Sequence, residues 1–385
     1  MSDHVAASVS ASPRSASWVD VDLGAVSHNV RVLRQLLGPA GVLAVVKANG
    51  YGHGAVPVAR AAVDGGARGL TVACLPEGAE LRAAGLAAPL LLLNAGNPEE
   101  AEEVVRLDLT QALCTLDMAR ALSAAAVRLD RPARVHLKLD TGMGRLGLAP
   151  EEVGEFAAAV RTLPGLEIEG VFSHLATAED ADASYAQEQF ARFRTALATL
   201  TTLGVSLSLR HFANSAATLR FPEMHLDAVR AGLLTYGLTP EASGLAPLDL
   251  RPALSWTTRV AFVRPLAAGR SISYGRRHVL AQESLVGVLP VGYADGFPRT
   301  ASNRAQVLVR GKLCPVLGTV CMDHIMVNLT PAGTVAAGEE AVIVGAQGGA
   351  CITVNDQARW AETVVHEIPT RLGARVVRRY IGGGE

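Results

Sequence analysis

The chain has 385 residues, of which 49% are hydrophobic and 18% charged, with a formal net charge of -1. That length exceeds one ordinary core and suits a barrel of roughly 250 residues plus a second domain of about 130. The charge balance leaves no basic footprint for nucleic acid, and the longest apolar runs, such as Val42 to Val46 and Pro89 to Leu93, fall far below the roughly 20 residues of a membrane helix.

Residues 1–16 are rich in Ala and Ser and carry Asp3, His4 and Pro13 instead of a basic start and an apolar run. This composition predicts a disordered tail and not a signal peptide. From about residue 42, short β-rich runs alternate with helical periodicity, the pattern of a parallel sheet wrapped by helices. Strands are expected near Val42–Val46, Gly69–Ala73, Leu90–Leu93, Gln111–Thr115, Arg134–Asp140, Glu167–His174, Leu207–Asn214 and Leu226–Tyr236. Between them lie helix-like segments such as Pro76–Ala84 and Pro98–Arg106, each with an acidic first turn that complements the helix dipole. Eight such units predict an α/β fold, a TIM-type (β/α)8 barrel over residues 17–250. Beyond Arg251 the pattern changes to Val- and Ile-rich runs split by Gly and Pro, at Leu285–Val291, Gln306–Val309, Ile325–Leu329 and Ala341–Val344. Residues 251–385 are therefore expected to form a mostly β C-terminal domain. One late helix is predicted from Asp356 to Ile368, with Trp360, Val364 and Ile368 at four-residue spacing.

Cys74, Cys114, Cys314, Cys321 and Cys351 form an odd, scattered set without a C-x-x-C pair. They argue against a disulfide framework and against a metal site, and they point to a reducing cytoplasm.

In a TIM barrel the reactive groups gather at the C-terminal ends of the strands, and phosphate is usually held after strands seven and eight. Lys47 follows the first predicted strand and precedes the Gly-rich run Gly50-Tyr51-Gly52-His53-Gly54. A lysine there can have its pKa lowered by burial and attack a carbonyl as an amine; the plainer reading is a strand-end lysine reaching solvent. Strand five ends in Lys138 to Gly147, strand six in Ser173-His174, strand seven in Asn214-Ser215 and strand eight in Arg230-Ala231-Gly232. His174 alone would read as a structural histidine and Arg230 alone as an ion-pair partner; their shared end of the barrel raises the functional reading. Gly142-x-Gly144-x-x-Gly147 formally matches a dinucleotide fingerprint, but it follows strand five, where a Rossmann unit would not carry it.

Taken together, Ala44 to Gly54, Lys138 to Gly147, Asn214 to Ala217, Ser273-Tyr274-Gly275, Val291 to Gly296 and Gly318 to Asp323 resemble the motifs of the alanine racemases, over about Trp18 to Arg378. The resemblance implies pyridoxal 5'-phosphate bound through Lys47, with Tyr51, Ser215, Gly232 and the backbone of Leu233 around its phosphate and Asn214 among the cofactor-binding residues. It implies that Arg145 approaches the cofactor's phenolic oxygen and the substrate carboxylate, and that a carbamylated Lys138 orients Arg145. An unmodified Lys138 beside Arg145 would be a like-charge pair, which carbamylation turns into an ion pair; a neutral or salt-bridged Lys138 is the alternative.

The family mechanism uses two bases on opposite faces of the cofactor-bound substrate: Lys47 on the D-alanine side and Tyr274 on the L-alanine side. His174, next to Arg230, would assist Tyr274, whose residue type and position would otherwise read as a turn tyrosine beside Gly275. Arg230 would face the pyridine nitrogen; as a donor that keeps its proton it leaves that nitrogen neutral and weakens the electron sink. Met322 would line the substrate pocket, with Tyr293 and Asp323 in support. A homodimer is implied, the C-terminal domain of each subunit completing the site of the other and the product D-alanine serving peptidoglycan. Many relatives carry a tyrosine near the phosphate where this chain has Ala374, which leaves Tyr51 and Ser215 to hold it. The competing readings are a racemase of serine or another amino acid, a basic-amino-acid decarboxylase, whose need for a strong electron sink Arg230 opposes, and a non-enzymatic cofactor carrier, which would leave the β domain without a purpose.

Overall fold

The computed structural model describes residues 16–240 and 248–383; apart from Ala16, the expected tail lies outside the described residues. Two compact units emerge, one built mainly from Asp22–Ala253 and the other from the first described strand with Leu254–Arg379. That first strand, β1 (Ser17–Asp22), corrects the expected barrel span of 17–250. Its residues Ser17, Trp18, Val19, Asp20 and Val21 pair antiparallel with Thr258, Thr257, Trp256, Ser255 and Leu254, and Trp18, Val19 and Val21 are buried. Local periodicity carries no information about a partner so distant in the chain.

The barrel is closed by eight parallel strands in sequence order: β2 (Gly41–Val45), β3 (Gly69–Val72), β4 (Leu90–Leu92), β5 (Thr110–Leu113), β6 (Ala133–Lys138), β7 (Leu166–Phe172), β8 (Leu209–His211) and β9 (Ala228–Ala231). β9 returns to β2 with Val42 opposite Val229 and Leu43 opposite Arg230. The predicted strands all form, but the last two are shorter than expected: Asn214 caps the helix Ser215–Arg220, and Leu233–Tyr236 is a 3-10 turn. Helices cover the barrel through spaced apolar residues; Leu23–Leu37 buries Val26, Val30, Leu33 and Leu37, its start fixed by Asp22 accepting the Ala25 N–H at 2.9 Å. Each such fully buried aliphatic side chain contributes about 1.5–3 kcal/mol of transfer free energy.

The second unit is an antiparallel assembly of β10 (Leu254–Arg259), β11 (Phe262–Leu266), β12 (Ser271–Ile272), β13 (His278–Val279), β14 (Ser284–Leu289), β15 (Gln306–Val309), β16 (Lys312–Leu317), β17 (Ile325–Asn328), β18 (Glu340–Gln347), β19 (Ala350–Ile352) and β20 (Val377–Ile381). The main sheet runs β11-β14-β17-β16-β15-β18-β10-β1-β20. The predicted helix over Asp356–Ile368 is instead two helices, Val354–Ala361 and Glu367–Thr370. Glu362 takes the left-handed conformation at φ 54° and ends the first, which leaves Val364 63% exposed and breaks the expected face. Among the described residues no helix is long and apolar enough to cross a membrane.

Candidate active site

The C-terminal ends of the barrel strands gather an unusual set of cations. Lys47 follows β2 by two residues, and Ala48, Asn49, Gly50 and Tyr51 after it all have positive φ, of 51, 54, 60 and 48°. A left-handed turn costs non-glycine residues about 1–2 kcal/mol each, so its neighbours must hold it. Glu77 does so with both oxygens, accepting the Ala48 N–H and the Ala73 N–H at 2.7 Å, while Asn49 Oδ1 accepts the Ala55 N–H at 2.9 Å. Tyr51 is buried edge-on against Tyr236, ring centroids 5.1 Å apart, and Tyr236 donates its hydroxyl to Val45 O at 2.9 Å. Burial lowers the Lys47 amine from its ordinary value; Arg145 and Arg230 act in the same sense, and Glu77 opposes them.

Lys138 ends β6, buried, with Nζ donating to Leu139 O at 2.9 Å and lying 5.1 Å from the centre of the Phe172 ring. Burial, then Arg230, push its amine down to about 7, against the pull of Asp140. Beyond it Asp140 folds the glycine-rich loop about its carboxylate: Oδ1 accepts the N–H groups of Gly142, Met143 and Gly144, and Oδ2 that of Arg145 at 3.0 Å. The loop that formally matched a nucleotide fingerprint is thus a device for presenting Arg145.

Arg230, buried on β9, spends its guanidinium on the barrel. Nη2 donates to Ser173 O at 2.6 Å and Phe212 O at 3.0 Å, and approaches His174 Nδ1 at 3.3 Å. Burial, then Arg145, push it down to about 9, so it stays charged at neutral pH. His174 is held well below its ordinary value, first by burial and then by Arg230, Lys138, Arg145 and Lys47; its ring is therefore neutral.

After β8 and β9 two turns meet. Asn214 caps its helix, Oδ1 accepting the Ala217 N–H at 3.0 Å, and so fixes Ser215, whose Oγ accepts the N–H groups of Gly232 at 3.0 Å and Leu234 at 3.4 Å. Leu233 opens the following 3-10 turn. A Cβ on Gly232 would stand 2.8 Å from Tyr51 Oη, so the missing side chain admits that hydroxyl to the backbone. Burial raises the Tyr51 phenol to about 12, which keeps it a hydrogen-bond donor. Backbone donors, two hydroxyls and the nearby cations suit a bound phosphate, so this cradle fits pyridoxal phosphate by its donor chemistry.

The remaining predicted residues belong to the β unit. There Tyr274, Met322 and Asp323 line a cavity of about 440 Å³ with Arg264, Ser273 and Met326. Tyr274 is 72% and Met322 52% exposed. Arg375 clamps the surrounding loops, donating from Nε to Asp295 Oδ1 at 3.1 Å and from Nη1 to Asp323 Oδ1 at 2.8 Å. The Tyr293 N–H donates to Cys321 O at 3.1 Å. Sequence reasoning missed Glu77, Asp140 and Arg375 as supports. Glu77 carried a signal, an acid in a first helical turn, that the dipole alone was enough to explain.

These features define a class: a parallel (β/α)8 barrel with a partly buried lysine amine and a cation-rich mouth suited to an anionic ligand, joined in one chain to a β unit. The comparisons narrow it. Residues 21–240 match the family model described as alanine racemase, N-terminal domain, and residues 253–380 that described as alanine racemase, C-terminal domain. An alanine racemase of Symbiobacterium thermophilum is 48% identical over 96% of this chain and 97% of its own, and one of Desulforamulus reducens is 44% identical over 95% and 99%. Among solved structures, the alanine racemase of D-cycloserine-producing Streptomyces lavendulae superposes with a TM-score of 0.91 at 39% identity, over 97% of this chain and 98% of that one. The chain belongs to the alanine racemase family.

Proposed function

We propose that the protein interconverts L- and D-alanine with pyridoxal 5'-phosphate. The observation that carries this reading is the convergence of Lys47, Arg145 and Arg230 at the mouth of a barrel whose whole chain matches the family. Lys47 would hold the cofactor covalently, and Tyr51, Ser215, Gly232 and the backbone of Leu233 would surround its phosphate, with Asn214 fixing the turn. When bound, this cofactor supplies the electron sink that makes the Cα–H bond of an amino acid labile.

The rest falls to the chain's own residues. Arg145 binds the substrate carboxylate, its loop held by Asp140. Lys47 Nζ, made a better base at neutral pH by burial and neighbouring cations, exchanges the α-proton on the D-alanine side. Tyr274 Oη exchanges it on the L-alanine side, supported by His174, and Met322 borders the substrate with Tyr293 and Asp323 behind it. Arg230, donor-only and charged, would face the pyridine nitrogen of the bound cofactor and leave it unprotonated. Two bases on opposite faces are what inversion needs; one base returning its proton to the same face gives retention.

Tyr274 and Met322 are large apolar side chains left exposed on the β unit, which supports a homodimer in which each β unit completes the partner's site. Scattered, unpaired cysteines support a reducing, cytoplasmic setting, where D-alanine would serve peptidoglycan. The test is chiral chromatography of purified holoenzyme given L- or D-alanine: both should reach the same mixture, while serine turns over slowly and lysine is not decarboxylated. Borohydride reduction and peptide mapping should locate the cofactor on Lys47. Failure to invert alanine, or a label on Lys138 or Lys312, overturns the reading.

A further inference from the structure

Behind Arg230 the barrel interior carries a line of polar groups that the reaction just described does not use. Arg230 Nη1 donates to His211 Nδ1 at 2.9 Å. The other nitrogen of that ring, Nε2, lies 2.9 Å from His136 Nδ1, and His136 Nε2 faces Glu169 Oε2 at 3.5 Å. Both imidazoles are buried, and His136 Nε2, shielded from solvent, has no closer partner among the described residues. Glu169 also receives the Thr110 hydroxyl at 3.5 Å. Four residues on four strands thus run from the cation-rich site into the body of the barrel.

The direction of this line follows from its first member. A guanidinium has donors and no acceptor, so His211 Nδ1 must present a lone pair and the neutral ring carries its proton on Nε2. That proton can only be given to His136 Nδ1, which leaves the proton of His136 on its own Nε2, aimed at Glu169. The opposite tautomers would set two N–H groups against each other at 2.9 Å. Burial, chiefly, lowers both rings from the ordinary value and Arg230 adds to it, while Glu169 pulls His136 the other way.

Two local features of the backbone build the line. β6 and β7 pair Val135 with Ile168 but His136 with Gly170, so Glu169 is a bulge residue without an opposite number, and a bulge re-aims the side chain it carries. Its carbonyl is held by the Ser208 N–H and hydroxyl, both at 3.0 Å. Gly170 supplies the room: a Cβ there would stand 2.9 Å from His136 Nε2 and 2.5 Å from Leu209 O. Phe172 then stacks on His211 at 4.7 Å and 8°, fixing the plane of that ring.

We propose that Glu169 and His136 are positioning residues for Arg230: with His211 they form a one-way hydrogen-bond relay that fixes the guanidinium and brings a carboxylate's influence to it through two neutral rings. Among the described residues Arg230 has no carboxylate as a hydrogen-bond partner, and the relay supplies one at a distance, polarising each donor in turn. The catalytic consequence rests on the function proposed above, whereas the relay itself rests on geometry alone.

The test uses holoenzyme labelled with 15N-histidine, with His136→Gln to assign the signals. Both rings should be neutral and protonated on Nε2 at neutral pH. Glu169→Ala should move the His136 Nε2 signal and, through it, that of His211, shift the absorbance of the bound cofactor, and lower kcat for alanine about fivefold, or ~1 kcal/mol, with KM unchanged. Glu169→Gln, which keeps an acceptor oxygen without the charge and serves if the alanine variant does not fold, should lie between it and wild type. A charged ring, or a proton on Nδ1 of either histidine, overturns the relay. Expected tautomers with a response confined to His136, or with unchanged kcat and absorbance in the folded variants, overturn the positioning role. Wild-type enzyme that shows the tautomers but does not racemise alanine overturns the proposed function and leaves the relay standing.

Discussion

Asp140 Oδ2 accepts the backbone N–H of Arg145 at 3.0 Å, while its other oxygen takes three more N–H groups from Gly142, Met143 and Gly144. Burial resists the charge on this carboxylate, but the four donors outweigh it and hold its pKa below the ordinary value. Asp140→Ala should therefore loosen the loop and misplace Arg145, lowering kcat/KM for alanine about tenfold, mostly through KM. Because the folded pKa is depressed, the stabilisation is present above the unfolded carboxylate range and lost as pH falls through the folded value. The melting-temperature gap between wild type and Asp140→Ala should narrow on acidification. A gap that is constant with pH, with unchanged KM, would remove Asp140 from this role.

Lys138 offers a pH test of the same sign in a higher pH range. Its amine falls from 10.5 to about 7 through burial and Arg230, so a large fraction is neutral and nucleophilic under physiological conditions. We expect 13C-labelled bicarbonate to give a carbamate signal in the folded enzyme at neutral and alkaline pH, absent from Lys138→Gln and lost in acid. While unmodified, Lys138 is neutral in the fold where the unfolded chain still binds a proton, so its contribution to stability rises with pH between about 7 and 10.5. An enzyme without the carbamate signal above neutral pH would leave Lys138 as a buried neutral amine.

The phosphate cradle is tested at Gly232, where an added Cβ would stand 2.8 Å from Tyr51 Oη. Tyr51 is buried between its turn and Tyr236, so its hydroxyl has little room to retreat. Gly232→Ala should weaken pyridoxal phosphate binding about tenfold, or ~1.4 kcal/mol, in an equilibrium titration followed by absorbance. Unaltered affinity would mean that Tyr51 and this backbone do not contact the phosphate.

How far the sequence revealed this molecule depended on the range of each interaction. The barrel was legible because strands such as Leu90–Leu92 and Thr110–Leu113 are locally apolar and separated by capped helices. Lys47, Lys138 and Arg230 stood out because each lies at or near the end of such a strand. β1 was assigned to the wrong unit, since its pairing partner follows the entire barrel. The break at Glu362 was hidden as well, a left-handed glutamate having no pattern of its own where Gly would have marked the stop. His136, His211 and Glu169 were the least visible, because they meet only when β6, β7 and β8 close side by side. Alone, each reads as an ordinary strand residue.

The last expectation concerns assembly. Lys47 lies in the barrel unit and Tyr274 in the β unit, and the proposed dimer pairs the Lys47 of one subunit with the Tyr274 of the other. Lys47→Ala and Tyr274→Phe homodimers should then each be nearly inactive, because every site carries one lesion. When the two proteins are mixed and their subunits exchanged, a heterodimer places both lesions in one site and leaves the other site intact. Random exchange of equal amounts makes half of the dimers mixed, so roughly a quarter of all sites should regain activity. Mass spectrometry of the intact dimers measures the mixed fraction independently, and racemisation should rise in proportion to it. If mixed dimers accumulate while activity stays at the level of the separate variants, each chain builds its own catalytic pair and the shared site is excluded.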